Sequence, residues 1–158
     1  NWSDLDDYIV NKFEVTDDFD EKVEIGKANV LREGTDITIT AFSLQVGNAL
    51  AAADALAELG VSVEVIDLRT LRPLDSETII ESVKKTNRLV TIEEGWGFSG
   101  IGATIAAIVV EKAFDYLDAE IIRVFAKDVP LPYAANLEKL AIPQIDDIID
   151  ACRKVCNR

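Results

Sequence analysis

The stretch Glu64-Val-Ile-Asp-Leu-Arg-Thr-Leu-Arg-Pro-Leu-Asp75 decides the fold, because it joins a buried strand, a stiff loop and a helix start. Its valine and isoleucine residues continue a β-branched run, which a strand covered on both faces requires. Pro73 fixes its own φ and keeps the preceding residue extended. Asp75 or Ser76 can then cap a new helix. The stretch therefore predicts a strand-to-helix crossover of an α/β protein.

Two arginines, Arg69 and Arg72, lie in this short loop at the carboxyl end of the predicted strand. Two cations so placed are typical of a contact with an anion or a carboxylate. The alternative is that both arginines pair with acidic neighbours, since the net charge of the chain is −13. Both interpretations stay open at this point.

Outward from the loop, β-branched strands alternate with amphipathic helices. The predicted strands are 28–31, 37–41, 62–67, 88–93 and 120–125, and the predicted helices are 44–59, 76–86, 100–115 and 144–155. This alternation predicts an α/β three-layer sandwich, with about five mostly parallel strands and helices on both faces. In the first helix the stripe expected to be buried consists of Val46, Leu50, Ala53 and Ala57.

Four linked stretches, in order and nearly without gaps from about residue 23 to about 156, resemble one known family. They are Ile25-Gly-Lys-Ala-Asn-Val-Leu-Arg-Glu-Gly-Thr-Asp36, the loop 65–75, Glu81-Ser-Val-Lys-Lys-Thr-Asn-Arg-Leu-Val-Thr-Ile-Glu-Glu-Gly-Trp96, and the pair Ala113-Phe-Asp-Tyr-Leu-Asp118 and Asp128-Val-Pro-Leu-Pro-Tyr-Ala-Ala-Asn-Leu-Glu-Lys-Leu140. They resemble the C-terminal domain, of transketolase C-terminal type, of the β subunit of pyruvate dehydrogenase E1. The resemblance implies that the first short strand runs antiparallel to the others.

The resemblance also implies a function, namely subunit assembly and docking to the E2 acyltransferase. The intact enzyme would decarboxylate pyruvate on thiamine diphosphate and Mg²⁺, and would transfer the acetyl group to lipoyl-E2. The implied partners are the E1 α subunit, a second β subunit and the basic peripheral subunit-binding domain of E2, within a homodimer or heterotetramer. The implied compartment is the bacterial cytoplasm or the mitochondrial matrix.

No catalytic, cofactor-binding or metal-binding residue is predicted in this chain, which contains no histidine. The family's cofactor-handling residues lie in its pyrimidine-binding domain or in the partner subunit, and this sequence does not include that domain. We therefore expect an excised, processed or engineered piece without thiamine-diphosphate activity of its own. Two alternatives remain. One is the same domain of a branched-chain 2-oxo acid or acetoin dehydrogenase, and the other is a non-catalytic interaction module or designed scaffold.

Two surfaces are expected from the resemblance. Asp118 matches, by position, an acidic family residue that holds the basic E2 domain, and Arg158 is expected to contribute to the same docking site. The alternative for Asp118 is a solvated loop aspartate. The residues expected at a subunit contact are Glu94, Trp96, Phe98, Leu131 and Tyr133.

The stretch Gly95-Trp-Gly-Phe-Ser-Gly100 satisfies the pattern G-x-G-x-x-G after a strand and before a helix, as dinucleotide-binding loops do. Trp96 and Phe98 crowd this loop, however. No acid closes the next strand, where Phe125 and Ala126 stand. We interpret the glycines as permitting a tight turn and close helix packing, and predict no dinucleotide site.

Two residue pairs are of types found in catalytic or metal sites, but their arrangement does not predict such a site. Glu93 and Glu94 are neighbours in a strand, so their side chains point to opposite faces and cannot share a proton as a catalytic dyad would. Cys152 and Cys156 share a helix face, but thiols without other soft ligands do not form a zinc site. Cys152 is therefore interpreted as a small core residue.

The negative charge is concentrated at the start of the chain, because residues 1–25 hold nine acids and two lysines. Residues 1–22 are predicted to be a poorly ordered acidic arm that folding does not require, and 23–158 the folded domain. A net charge of −13 argues against nucleic acid and favours a basic protein partner. No membrane contact is predicted, since no apolar run approaches the ~18 residues that a spanning helix needs.

Overall fold

The computed structural model describes residues 23–157, which form a five-stranded sheet with the strand order β1-β3-β2-β4-β5. The strands are β1 (Asn29–Arg32), β2 (Ile37–Ala41), β3 (Val63–Asp67), β4 (Leu89–Trp96) and β5 (Ile122–Ala126). Strand β1 pairs antiparallel with β3, and the other three pairings of this sheet are parallel. The prediction of a mainly parallel sheet with an antiparallel first strand is confirmed.

Helices cover both faces of the sheet. They are α1 (Leu44–Glu58), α2 (Ser76–Thr86), α3 (Ile101–Ala113), α4 (Ala135–Ala141) and α5 (Ile145–Val155), and a 3₁₀ turn (Phe114–Tyr116) extends α3. Helices α1 and α5 pack on one face of the sheet, while α2 and α3 pack on the other. The predicted three-layer α/β sandwich is therefore confirmed.

Strand β2 shows why the sheet is buried on both faces. Ile37 and Ile39 point toward α1 and α5 and are 0% exposed. Burying an isoleucine side chain contributes about 1.5–3 kcal/mol to stability. Thr38 points the other way, toward α2, where its hydroxyl lies 2.6 Å from the hydroxyls of both Ser82 and Thr86. A hydrogen-bonded threonine is thus accepted in a buried strand because its polar atom has partners.

The structure differs from the sequence-based expectation in three details. Helix α4 was not predicted, because seven residues after a proline-rich segment carry little periodic signal. Strand β4 continues to Trp96, which pairs with Ala126, so Trp96 ends a strand and does not lie in the following loop. Ala57 is exposed, and Leu56 is buried in its place. Alanine fits either face of a helix, so its position in the sequence does not indicate which face is buried.

The described residues leave part of the sequence untested. The predicted acidic arm, residues 1–22, lies outside them, and so does Arg158. The division into an arm and a folded domain therefore stays a prediction. From residue 23 to residue 157, no helix has the length and apolar character needed to cross a membrane.

Candidate functional site

The loop that follows β3 holds the segment that leads into β1. Thr70 Oγ1 accepts a hydrogen bond from the Gly26 N–H at 3.0 Å and donates one to the Pro73 carbonyl at 2.9 Å. Asp75 Oδ2 accepts the Ala28 N–H at 3.1 Å. Gly26 has a φ of +83°, and a Cβ on it would lie 2.9 Å from Pro73 Cγ. The particular sequence of the loop is thus explained by its hydrogen bonds and packing contacts with the segment that precedes β1.

Arg69 contacts the acid that ends β3, because its Nε lies 4.0 Å from Asp67 Oδ2. The Asp67 carboxylate also accepts the Arg69 N–H at 3.0 Å. Arg72 is exposed on the same loop. The interpretation that an acidic neighbour pairs with the arginine therefore holds for Arg69.

A carboxylate of the chain itself occupies the N-terminus of α3, behind the G-x-G-x-x-G motif. Glu93 is 3% exposed, accepts the Ile101 N–H through Oε2 at 2.9 Å and accepts the Gly102 N–H through Oε1 at 3.1 Å. Backbone N–H groups at a helix start are the ones that a diphosphate would use. Gly100 permits this capping, since a Cβ on it would collide with the Glu93 carboxylate. The absence of a dinucleotide site stays a prediction, and its physical reason is that Glu93 already accepts the N–H groups that a diphosphate would use.

The two adjacent glutamates have different surroundings. Glu93 is held by α3, whereas Glu94 is half-buried and its Oε1 is buried without a hydrogen-bond partner. Between residues 23 and 157, no group of three or more His, Cys, Asp or Glu side chains could hold a metal ion. With its N–H groups bonded to Glu93, the start of α3 does not fit the diphosphate of thiamine diphosphate.

A surface groove of about 640 Å³ lies between α3 and the segment that leads into β5. Apolar side chains dominate its lining, with two acids among them: Ala106, Ala107, Val110, Phe114, Leu117, Asp118, Ala119, Glu120 and Ile121. Val110 is 48% exposed and Phe114 is 66% exposed, so apolar surface faces solvent here. An apolar groove with carboxylates suits a partner that presents both apolar and basic side chains.

Each acid of the groove has a basic neighbour. Asp118 Oδ2 lies 3.7 Å from Arg88 Nη2, and Glu120 Oε1 lies 2.7 Å from Lys154 Nζ. The Asp118 side chain is 60% exposed. A separation of 3.7 Å is that of an ion pair without a hydrogen bond, and the exposure of the Asp118 carboxylate leaves it accessible to a cation of a partner.

Asn87, which the sequence analysis missed, holds the turn that carries Asp118. Its carbonyl accepts the Asp118 N–H at 2.9 Å, and its side-chain Nδ2 donates to the Tyr116 carbonyl at 2.8 Å. An asparagine that follows Lys84 and Lys85 at the end of a helix is a C-cap signal. No sequence signal links it to Tyr116, which is 29 positions away.

Four of the five predicted subunit-contact residues are exposed. The exposed fractions are 53% for Trp96, 86% for Phe98, 63% for Leu131 and 106% for Tyr133. Trp96 Nε1 donates to the Val129 carbonyl at 3.3 Å, which brings the end of β4 together with the segment 129–133. Apolar surface grouped in this way is typical of protein contacts. The remaining residue, Glu94, is half-buried.

The interpretation of Cys152 as a core residue is confirmed, because its side chain is 0% exposed. Burial, with a smaller effect of Cys156, raises the pKa of the Cys152 thiol to about 12. A thiol with so high a pKa is a poor nucleophile and a poor metal ligand.

Comparison with known proteins identifies the fold family. A family model described as "Transketolase, C-terminal domain" matches residues 26–148. A solved structure described as a split-gene transketolase, an inactive β4 tetramer, matches with a TM-score of 0.75 and 32% identity, covering 87% of this chain and 44% of that one.

Curated relatives carry the name of one enzyme subunit. The pyruvate dehydrogenase E1 component subunit beta of Rickettsia bellii is 63% identical over 136 residues, which are 86% of this chain and 42% of the relative. The mitochondrial subunit beta of Dictyostelium discoideum is 55% identical over 150 residues, 93% of this chain and 42% of the relative. The chain thus spans about two fifths of the length of these relatives. The chain belongs to the transketolase C-terminal domain family, and its resemblance to the C-terminal domain of pyruvate dehydrogenase E1 β subunits is confirmed.

Proposed function

We propose that this chain is the assembly and E2-docking domain of a pyruvate dehydrogenase E1 β subunit. In the intact enzyme, pyruvate is decarboxylated on thiamine diphosphate and the acetyl group passes to lipoyl-E2. The partners are the E1 α subunit, a second β subunit and the peripheral subunit-binding domain of E2. The compartment is the bacterial cytoplasm or the mitochondrial matrix, because the similar subunits come from a bacterium and from mitochondria.

The observation that carries the docking role is the groove beside Asp118. Its floor is apolar, its acids are Asp118 and Glu120, and it is open to solvent along Phe114. The peripheral subunit-binding domain is basic, so opposite charges steer it toward this surface and the apolar floor receives its less polar side chains. The net charge of −13 acts in the same direction at longer range.

A binding experiment tests the docking role. The full chain is immobilised and the E2 peripheral subunit-binding domain of Rickettsia bellii flows over it in surface plasmon resonance. Asp118→Asn should weaken binding roughly three- to tenfold, as loss of one interfacial charge pair does, and should reduce the salt dependence. Asp128→Asn removes the same charge from an exposed aspartate that does not line the groove, and should change the affinity less than twofold. Equal effects of the two variants would contradict docking at this groove.

The assembly role rests on the exposed side chains around Trp96 and the segment 129–133. The solved relative described as an inactive β4 tetramer is itself an assembly of β chains, which supports self-association of this type of subunit. We expect a weak dimer that tightens as salt rises, since −13 per chain opposes association most strongly at low salt.

Sedimentation equilibrium at low and high salt measures this association. Leu131→Ser should weaken the dimer, whereas Leu59→Ser, at the end of α1, should leave it unchanged. The pair is matched because the two leucines are 63% and 58% exposed. A strict monomer at high micromolar concentration in both salts would contradict the assembly surface.

The isolated chain is proposed to have no turnover. Isothermal titration with thiamine diphosphate and Mg²⁺ tests this, and micromolar binding by the chain would contradict it. The same domain of a branched-chain or acetoin dehydrogenase is the second candidate within the family. The similarly named pyruvate dehydrogenase subunits favour the first.

A further inference from the structure

We propose that Asn87 is a positioning residue of the docking groove. The inference rests on the proposed docking role of Asp118 and concerns how that carboxylate is held before a partner arrives. Asn87 touches no groove surface itself, since it is not among the lining residues. It acts through the turn Tyr116–Asp118.

Asn87 is itself held firmly by the end of α2. It is the C-cap of this helix in the left-handed conformation, with a φ of 61°, and its N–H donates to the Val83 carbonyl at 2.7 Å. Asparagine is one of the few residues other than glycine that adopt this conformation readily. Asn87 Nδ2 also lies 3.5 Å from the Lys84 carbonyl, so the helix end holds both the main chain and the side chain of this residue.

From this position Asn87 holds the turn on both sides of Leu117. The Asn87 carbonyl accepts the Asp118 N–H at 2.9 Å, and Asn87 Nδ2 donates to the Tyr116 carbonyl at 2.8 Å. These contacts fix main-chain atoms, so the Asp118 side chain is placed without being covered. Its 60% exposure agrees with that arrangement.

Lys84, in α2, and Arg88, just before β4, add contacts to the same turn. Lys84 Nζ lies 5.7 Å above the centre of the Tyr116 ring, and Arg88 Nη2 lies 3.7 Å from Asp118 Oδ2. Arg88 is tied to the body of the protein because its Nη1 donates to the Asp36 carbonyl at 3.3 Å. The end of α2 and the residue that precedes β4 thus support the docking carboxylate from below.

A carboxylate that is already in place loses less conformational freedom when it binds. Releasing the turn should therefore weaken docking by about three- to tenfold, the range that the ordering of one or two side chains produces. The net charge does not change when Asn87 is replaced by glycine, so electrostatic steering is kept. The loss should appear mainly as faster dissociation.

The test is a double-mutant cycle with Asn87→Gly and Asp118→Asn on the full chain, using the Rickettsia bellii E2 domain as the probe. Glycine keeps the left-handed conformation and the main-chain bond to Asp118, and removes the side-chain contacts with the Tyr116 and Lys84 carbonyls. Asn87→Gly should raise the dissociation rate about three- to tenfold with an association rate within twofold of wild type. In the Asp118→Asn background the same change should have less than a twofold effect, because the charge that it positions is gone.

The outcomes separate the inference from the docking role. If wild type and Asp118→Asn bind alike, the docking role at this groove is wrong and the inference is wrong with it. If Asp118→Asn weakens binding but Asn87→Gly does not, or if Asn87→Gly acts equally in both backgrounds, only the positioning role is wrong. Circular dichroism confirms folding, and Asn87→Ala serves as the second variant if Asn87→Gly does not fold. Alanine also keeps the net charge and has no side-chain donor for the Tyr116 carbonyl.

Discussion

Glu93 and Gly102 lie so close together that a single methyl group would not fit between them. The Gly102 N–H donates to Glu93 Oε1 at 3.1 Å, and a Cβ on Gly102 would lie 2.8 Å from the same oxygen. It would also lie 2.5 Å from Thr91 Oγ1. Gly102 in α3 and Gly100, which ends the G-x-G-x-x-G motif, therefore let an internal carboxylate cap α3. The glycine motif resembles a nucleotide-binding motif because a bound diphosphate must also approach the backbone N–H groups of a helix start closely.

Replacing Glu93 with glutamine should destabilise the fold by about 1–3 kcal/mol, because a buried charge-assisted cap is lost. The amide NH₂ of glutamine would face a backbone N–H, so one donor would lose its acceptor. Urea unfolding measures the change. Glu94→Gln is the matched control at the neighbouring position, and should cost less than half as much, since Glu94 Oε1 has no hydrogen-bond partner to lose.

Gly102→Ala should also destabilise, although alanine usually stabilises a helix interior relative to glycine by about 1 kcal/mol. The added methyl must displace Thr91 or Glu93, and such overpacking costs typically 1–3 kcal/mol. Thermal unfolding of this variant compares directly with Gly95→Ala, whose Cβ would lie 3.8 Å from Glu93 Oε2. An unchanged or raised melting temperature for Gly102→Ala would mean that the capping carboxylate can move aside freely.

The sheet could be predicted from sequence because strands buried on both faces leave an unmistakable composition. Val63–Asp67 and Ile37–Ala41 were placed within one residue, since β-branched side chains filled both faces. Of the stripe expected to be buried in α1, Ala57 alone is exposed, because alanine fits either face of a helix. Helix α4 was missed because its burial is slight and its neighbours are prolines.

The candidate site was less predictable because its contacts are distant in sequence. Asp118 was identified only by its position in a resembling family, and nothing in the local sequence indicated a groove. Asn87 could have been recognised as a helix C-cap, but its bond to Tyr116 depends on how α3 returns to the end of α2. The sequence places Glu93 beside Glu94 in a strand, but the capping role of Glu93 requires the three-dimensional position of Gly102.

Cys152 should resist thiol reagents in the folded protein. Its pKa of about 12 and its 0% exposure leave almost no accessible thiolate at pH 8. In a Cys156→Ser variant, reaction with Ellman's reagent should follow the rate of unfolding, and should become fast in denaturant. The complementary Cys152→Ser variant retains the half-buried Cys156 and should react faster in the native state. Rapid native labelling of Cys152 would indicate that α5 opens readily from the sheet.

Asp75 gives the fold a dependence on pH that can be followed separately. Burial alone would raise the pKa of this carboxyl, but hydrogen bonds from the Ala28 N–H and from Thr78 outweigh it, and the pKa falls below its usual 3.8. Thr78 contributes both its N–H, at 3.2 Å, and its hydroxyl, at 2.8 Å. The Asp75 side chain therefore caps α2 and also binds the main chain of the segment before β1.

Asp75→Asn should lower the free energy of unfolding at pH 7 by about 1–3 kcal/mol, since an amide cannot accept all of these hydrogen bonds. The pKa is lowered in the folded state, so the ionised carboxylate stabilises above the unfolded-state pKa, and this contribution is lost as pH falls through the folded-state pKa. The difference between wild type and variant should be constant from pH 7 to about 5 and should narrow below about 4. Urea unfolding at each pH measures this difference in the free energy of unfolding.

Glu77 is an exposed acid in the first turn of the same helix, so Glu77→Gln serves as the control and should change stability by less than about 0.5 kcal/mol. A difference for Asp75→Asn that persists unchanged to pH 3 would show that the loss comes from altered packing of the loop and not from the carboxylate charge.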